Sequence, residues 1–468
     1  MKTAKLLLSL VVLSGLVASC AKRGGQQTDP RAVEADKQVQ QKYGKSLAEL
    51  ETVKLIAISP HNTDIENEYE AAFSLQHAVE FGQKVDIDWR DVGGGSTAIL
   101  RHLRNVYSNS DTSGIDIVWG GGDYNFQRLA EEGILQPMEI SDDVLANVPE
   151  MFGGHNMFDP QHRWCGSAVS GFGVLYNKPL LERLKIEPPK QWEDLASPQF
   201  YGLVGLTDPT QSGSAASSYQ MIVQSGKDWP SGWAKLLAIL GNAKKFYSGA
   251  GDAAEAVPSG EVALSTCIDF YGTLRVVRYP DTIVYVSPKG QTSFGPDPIA
   301  ILRNPPNGLV AQRLVNFVLS RPGQALWALL PGTPDGPARV ELGRQPIRRD
   351  VYEHYAGKLS SMIVNPYASG ESMAIDTRLW SDSFSVLRKL VWAAAVKNRD
   401  GLRAAKKKLI ETSFDADRLA EFNKLPEDAA DRKGLGQLST KLRDKKQADI
   451  IITGWISFFR DKYKRTSQ

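Results

Sequence analysis

Short apolar runs, glycine-rich turns and amphipathic stretches follow one another in a repeating order through the first part of the chain. Val53-Lys54-Leu55-Ile56-Ala57-Ile58 has strand length and leads into the loop Ser59-Pro60-His61-Asn62-Thr63-Asp64. Tyr69, Ala72, Phe73 and Leu75 then fall in helical register. Val85-Asp86-Ile87-Asp88-Trp89 runs into Gly93-Gly94-Gly95-Ser96-Thr97 and a helix from Ala98 to Tyr107. Ile115-Asp116-Ile117-Val118-Trp119 runs into Gly120-Gly121-Gly122-Asp123 and a helix from Phe126 to Glu132. Three strand–turn–helix units in succession predict a parallel sheet covered by helices. In such sheets ligands sit beyond the carboxyl ends of the strands, which is where all three loops lie.

A second set of elements follows. Gly171 to Tyr176 reads as a strand and Asn177-Lys178-Pro179 as a helix start. Gly202 to Leu206 is a strand before Asp208-Pro209-Thr210-Gln211-Ser212-Gly213-Ser214-Ala215 and a helix through Met221. Glu261 to Thr266 is a strand before Asp269-Phe270-Tyr271-Gly272, Pro298 to Leu302 another, and Gly308 to Leu319 an amphipathic helix. From about Asp382 the pattern is helical, with Phe384, Leu387, Val391 and Ala394 on one face, and later Ile451, Trp455 and Phe458.

The N-terminus differs from all of this. Lys2 and Lys5 precede the apolar run Leu6 to Ala18, which ends in Val17-Ala18-Ser19-Cys20. A basic start, a short apolar run and small residues before a cut site predict an export signal over 1–19. Cys20 after Val-Ala-Ser resembles the lipobox of bacterial lipoproteins. The resemblance implies lipidation of Cys20, tethering to a membrane and a location outside the cytoplasm. Residues 20–50 are polar without steady periodicity and read as a linker. No later segment has the length of a transmembrane helix.

Composition narrows the function classes. A length of 468 residues allows two or three lobes, and 42% hydrophobic with 23% charged residues is ordinary for a soluble fold. The net charge of +2 conceals a basic end: Lys397 to Gln468 holds 18 Lys or Arg against 11 Asp or Glu. That end reads as a solvated helical surface, or as a face for anionic lipid or an acidic partner. Cys165 and Cys267 either pair or stand as two buried thiols, and neither adjoins a nucleophile motif. Metal-protease, paired-cysteine, calcium-loop, Walker and nucleophile-elbow motifs are absent, so the sequence favours binding over catalysis and no nucleic-acid partner.

The candidate binding groups cluster at the loops. Gly94, Ser96 and Thr97, and Thr210, Ser212, Gly213 and Ser214, open helices with close-approaching backbone and hydroxyl donors, a form suited to oxygen-rich anions or to simple capping. Ser59, His61 and Asn62 share the first loop, and His61 offers a ligand donor or a metal bond. Gly121, Asp123, Asp269 and Tyr271 complete the candidates, with the two aspartates reaching a ligand or bracing turns. Trp89, Trp119 and Trp164 are candidates for the cleft wall, with core packing the favoured reading of Trp89 and Trp119.

Taken in order, these motifs resemble the bacterial extracellular solute-binding proteins of ABC transporters, in the group that takes ferric iron, polyamines and thiamine. The carriers are Ile56 to Asn62, Gly93 to Thr97, Asp116 to Gly121, Ser170 to Lys178, Trp192 to Leu195, Asp208 to Ala215, Ser259 to Ala263, and Phe317 to Ser320 with Gly323-Gln324. The resemblance spans roughly residues 52–350 and implies an α/β fold of the type II periplasmic-binding-protein kind, two doubly wound lobes with a hinge. It places 52–168 with 272–350 in lobe 1 and 169–271 in lobe 2. Residues 351–468 form a helical region that completes lobe 2 and extends beyond it. It also implies ABC permease subunits as partners and no resident cofactor. Iron-binding members hold the metal with a first-loop histidine and an adjacent tyrosine pair. His61 matches, and Tyr271 is the second metal candidate, but Phe270 stands where the other tyrosine would be. An anionic organic solute therefore competes with ferric iron or a metal chelate as the ligand. A sensor or scaffold lipoprotein on the same fold is the alternative function.

Overall fold

The computed structural model describes residues 29–468 apart from 369 and 371. The export signal and Cys20 lie outside the described residues. The strands are β1 (Thr52–Ile58), β2 (Lys84–Arg90), β3 (Ile117–Trp119), β4 (Met151–Phe152), β5 (His155–Asn156), β6 (Cys165–Ser170) and β7 (Phe172–Asn177). They continue as β8 (Val204–Thr207), β9 (Ala243–Tyr247), β10 (Leu264–Ile268), β11 (Ile283–Val286), β12 (Gly295–Ile301) and β13 (Gln345–Pro346).

Two sheets result. The first has the order β13-β6-β12-β3-β1-β2 and the second β11-β7-β10-β8-β9. β1 pairs in parallel with β2 and β3, as the strand–turn–helix repeat requires, whereas β12 pairs antiparallel with β3 and β6. The period-two alternation of β1 sends Leu55 and Ala57 into one layer with Tyr69 and Phe73, and Ile58 into another with Ile99, Leu103 and Phe126. Helices therefore cover both faces, and the second sheet repeats the plan around Val174, Leu206, Tyr219 and Trp233.

The chain leaves the first sheet at Ser170 and enters the second at Phe172, with Gly171 between them. The return comes later than residue 272. The helix Asp269–Arg278 and strand β11 stay with the second sheet, where β11 pairs with β7 over Ile283 to Val286. The way back is the segment between β11 and β12. The end of the first lobe is also later than 350, since Val351 and Tyr355 pack with Ala325 and Leu329.

Two further readings change. The polar stretch read as a linker contains the helix Pro30–Tyr43, started by the Asp29 carboxylate accepting from Arg31 N and stopped at Gly44, φ 67°. Its Val39 is buried against Leu50 and Ala78, so a narrow apolar stripe suffices to dock it on the helix Thr63–Phe81. The C-terminal helices, beginning with Thr377–Val391, join the second lobe's core through Phe384, Leu387, Leu390, Trp455 and Phe459. Lys406 and Lys462 of this basic region are not surface residues. Lys462 Nζ is buried and donates to the carbonyls of Phe422 and Lys424.

Among the described residues no helix is long and apolar enough to cross a membrane. Cys165 lies on the first sheet and Cys267 on the second, both as free buried thiols.

Candidate functional site

A cleft of 380 Å³ opens between the two sheets. Its wall is made of helix beginnings. From the first lobe come Gly94 to Ser96, ahead of the helix Ser96–Tyr107, and Gly121 to Asp123, ahead of the helix Asp123–Glu131. From the second come Gln211 to Ser214 at the helix Gly213–Gln224, and Phe270 and Tyr271 in the first turn of Asp269–Arg278. The short helix Ala250–Glu255 adds Gly249 to Asp252. Each beginning presents backbone N–H groups that the helix itself leaves unpaired, with a partial positive charge.

Capping decides which of these groups are free. Ser212 Oγ accepts from Ala215 N and thereby closes part of its own helix start. The cap residues Gly95, Gly122, Gly249 and Ile268 supply no side-chain cap, but Asp123 Oδ1 accepts from Tyr124 N and Asp269 Oδ1 from Phe270 N, so these two starts are partly closed. Gly121 has φ 116° and Gly94 φ 94°, a left-handed backbone that only glycine enters freely. A Cβ on Gly121 would also stand 2.7 Å from Ser96 Cβ, so the two first-lobe loops are seated against each other. Among the described residues the side chains of Ser96, Ser214, Ser217 and Ser248 line the cleft without a hydrogen bond to the protein. No Lys or Arg is among the lining residues.

A buried charge network supports the first-lobe loops. Asp297 accepts from Gly121 N on Oδ1 at 2.8 Å, and on Oδ2 from Arg344 Nη1 at 2.8 Å. His61 Nε2 is also 2.8 Å from Asp297 Oδ2. Burial disfavours the charge on Asp297, but Arg344 and His61 outweigh it and hold the carboxyl far below its ordinary range. Burial lowers the pKa of His61, which favours the neutral ring. Arg344 Nη2 goes on to Ser170 Oγ at 3.1 Å, at the point where the chain leaves the first sheet.

The sequence candidates divide between cleft and scaffold. His61, Gly94, Ser96, Gly121, Asp123, Ser212, Gly213, Ser214 and Tyr271 line the cleft. Ser59, Asn62, Thr97, Thr210 and Asp269 do not, and each has work elsewhere. Ser59 Oγ accepts from His61 N, and Asn62 Oδ1 caps the following helix at Ile65 N. Thr97 Oγ1 accepts from Arg388 Nη2 at 2.6 Å, and Thr210 bonds to Asp208. Asp269 Oδ2 accepts from Gly171 N at 2.8 Å, bracing the crossing, and burial raises its pKa to about 6. Trp119 is fully buried, as read, and so is Trp164, which packs with Ile58 and Val118 rather than walling the cleft.

Of the two metal candidates, His61 has its Nε2 against Asp297 and Arg344 while its buried Nδ1 has no partner, and burial pushes the Tyr271 phenol away from ionisation. Among the described residues no group of three or more His, Cys, Asp or Glu is placed to hold a metal ion.

Residues that sequence reasoning missed include His155, Trp380, Asp297, Ser217 and Ser248 in the cleft wall, and Arg344 behind it. Asp123 Oδ2 holds His155 Nδ1 at 2.8 Å, and Trp380 packs edge-on against the His155 ring. Asp297 and Arg344 sit in segments whose pattern carries no motif, so only the fold brings them together.

The description "Bacterial extracellular solute-binding protein" belongs to the family model that matches residues 114–341. The phosphoglycerate transport regulatory protein PgtC of Salmonella typhimurium is 31% identical over 161 residues, which is 34% of this chain and 40% of that protein's length. Iron uptake protein A1 of Synechocystis sp. is 25% identical over 331 residues, 68% of this chain and 81% of that protein. Among solved structures, the periplasmic binding protein AfuA of Actinobacillus pleuropneumoniae, with fructose-6-phosphate bound, matches with a TM-score of 0.59. It shares 16% identity over 74% of this chain and 98% of its own. The apo ferric ion-binding protein A of Pasteurella haemolytica matches with a TM-score of 0.54 and 15% identity, over 72% and 96% of the two chains. At these identities the structural matches establish the fold alone. These relatives are named for binding, uptake or transport and not for catalysis. With the two-lobed fold and the family match over residues 114–341, the chain is similar to the bacterial extracellular solute-binding proteins.

Proposed function

We propose that this protein is the solute-capturing component of an ABC importer, and that its cargo is a phosphorylated small organic anion. The observation that carries the reading is the convergence of helix starts from both lobes on one cleft that also offers free serine hydroxyls. Phosphate oxygens are strong acceptors for such groups, and the site needs no cationic side chain to hold them. A cleft of 380 Å³ suits a ligand of a few carbons bearing phosphate. The names of relatives agree: one is called a phosphoglycerate transport regulatory protein and one structural neighbour holds fructose-6-phosphate. The first is similar over a minority of its length, so its substrate class guides the choice of probes only.

In this reading Cys20 is lipidated and anchors the protein outside the cytoplasm, and the closed lobes are the form that permease subunits read. Ferric iron is the competing cargo, because relatives are iron proteins and His61 and Tyr271 both line the cleft. The commitment of His61 to Asp297 and Arg344 counts against it.

Calorimetry with 3-phosphoglycerate, fructose 6-phosphate and ferric citrate separates these readings. Tight binding of a phosphorylated probe is expected. Binding of ferric citrate with a visible phenolate-to-iron band, and of neither phosphorylated probe, would replace this reading with iron transport.

A further inference from the structure

His155 and Trp380 each bury a polar atom that has no partner. His155 is 3% exposed and its Nε2 makes no hydrogen bond; Trp380 is 3% exposed and its Nε1 makes none. Both residues line the cleft, and their rings meet edge-on with centroids 5.0 Å apart. Buried polar atoms in folded proteins nearly always have a partner.

The two orphans are of opposite sense. Asp123 Oδ2 lies 2.8 Å from His155 Nδ1, and a carboxylate only accepts, so the ring proton is assigned to Nδ1. In the neutral ring Nε2 is then a lone pair, an acceptor. The indole Nε1–H is only a donor. Asp123 is the charged group bonded to His155 among the described residues. From the other elements packed on the ring come Trp380 and the backbone of Gly295.

We propose that His155 Nε2 and Trp380 Nε1–H form a hydroxyl subsite of the cleft. A ligand hydroxyl donates its proton to His155 and accepts from Trp380, satisfying both at once. A carboxylate or doubly ionised phosphate-monoester oxygen satisfies the indole but brings no proton for the imidazole. The subsite thus selects a hydroxyl-bearing phosphorylated anion over its deoxy analogue, and it rests on the phosphorylated-solute reading above. Both atoms expose almost no surface in this arrangement, so a ligand hydroxyl reaches them as the two rings part. Trp380 lies outside the region matched by the family model, so the C-terminal helical region supplies part of the specificity.

The test is calorimetry of the full chain with 3-phosphoglycerate and with 3-(phosphonooxy)propanoate, the same molecule lacking its hydroxyl. The wild type is expected to favour the hydroxylated probe by about tenfold or more. His155→Phe and Trp380→Phe should each bring the two probes to within about twofold, by weakening the hydroxylated one. In wild-type protein labelled with ¹⁵N-histidine, the Nε2 resonance of His155 should move with 3-phosphoglycerate and not with the deoxy probe. This reading does not depend on the variants folding. Equal affinity of the wild type for both probes, or a preference that survives in both variants, overturns the subsite while leaving anion capture intact, with water as the partner of the two atoms. Failure of the wild type to bind either probe overturns the phosphorylated-solute reading and the subsite with it.

Discussion

Gly213 and Ser96 oppose each other across the cleft so closely that a Cβ built on Gly213 would stand 2.6 Å from Ser96 Oγ. Gln211 and Gly95 stand in the same relation, with the Gln211 carbonyl 3.3 Å from a Cβ on Gly95. Helix starts from the two lobes therefore meet face to face, and the described form is closed around the cleft.

Gly213→Val tests whether closure is needed for capture. The added side chain has room when the lobes part but not when they meet. The variant should fold, since position 213 is the first residue of a helix and tolerates a Cβ there. Overpacking of this kind costs about 1–3 kcal/mol, so ligand affinity should fall roughly five- to hundredfold. Calorimetry beside a melting curve of the ligand-free protein reads both quantities, and unchanged affinity would show that closure does not bring these two residues together.

Arg388 links three parts of the chain. From the C-terminal helix it donates to Thr97 Oγ1 on the first lobe and to the carbonyls of Pro209 and Thr210 on the second. Thr97→Val removes only the bond between lobes. A hydrogen bond to a charged group contributes about 1.5–3 kcal/mol, so the closed form should lose that much and ligand affinity should drop by roughly tenfold or more. Small-angle scattering of the variant should report a larger radius at the same ligand concentration.

Asp269 predicts a pH dependence of stability. Burial raises its pKa in the folded protein to about 6 from an ordinary 3.8. The folded state therefore binds this proton more tightly than the unfolded one. Its contribution is fully present below pH ~4, declines as pH rises through about 6, and amounts to about 3 kcal/mol across that window. Asp269→Asn should remove this decline, which denaturant melts at pH 4, 5, 6 and 7 would reveal as a flatter profile than that of the wild type. Identical pH slopes in both proteins would rule out the assignment.

Much of the framework was legible before the fold was known. The three loops of the first lobe and the Asp208 to Ala215 loop announced themselves because glycine and hydroxyl residues at helix starts follow strand-length apolar runs. The first crossing, near Val169 to Val174, is placed by the resemblance and not by the hydrophobic pattern. The return crossing was not legible, because β11 is only four residues long and its pairing with β7 is a tertiary event. His155 escaped notice because β4 and β5 have two residues each, too short for any periodicity. Trp380 was hidden by its helix, whose apolar face reads as core whether or not one ring also borders a cleft. The helix Pro30–Tyr43 was missed because most of its surface is polar and only a narrow stripe docks.

Both cysteines should be inert in the folded protein. They are buried on different sheets, and burial pushes each thiol up to about 12. A thiol-reactive dye should leave Cys165 and Cys267 unmodified under native conditions and label both after denaturation without reductant. A requirement for reductant would mean that they pair.

The claim that the cleft holds a phosphorylated organic anion is tested most directly by what the protein carries from its own cell. Protein purified from its native host without added ligand, then denatured, should release an organic phosphate at close to one per chain by mass spectrometry. Release of iron, or of a solute without phosphate, at that stoichiometry would contradict the account.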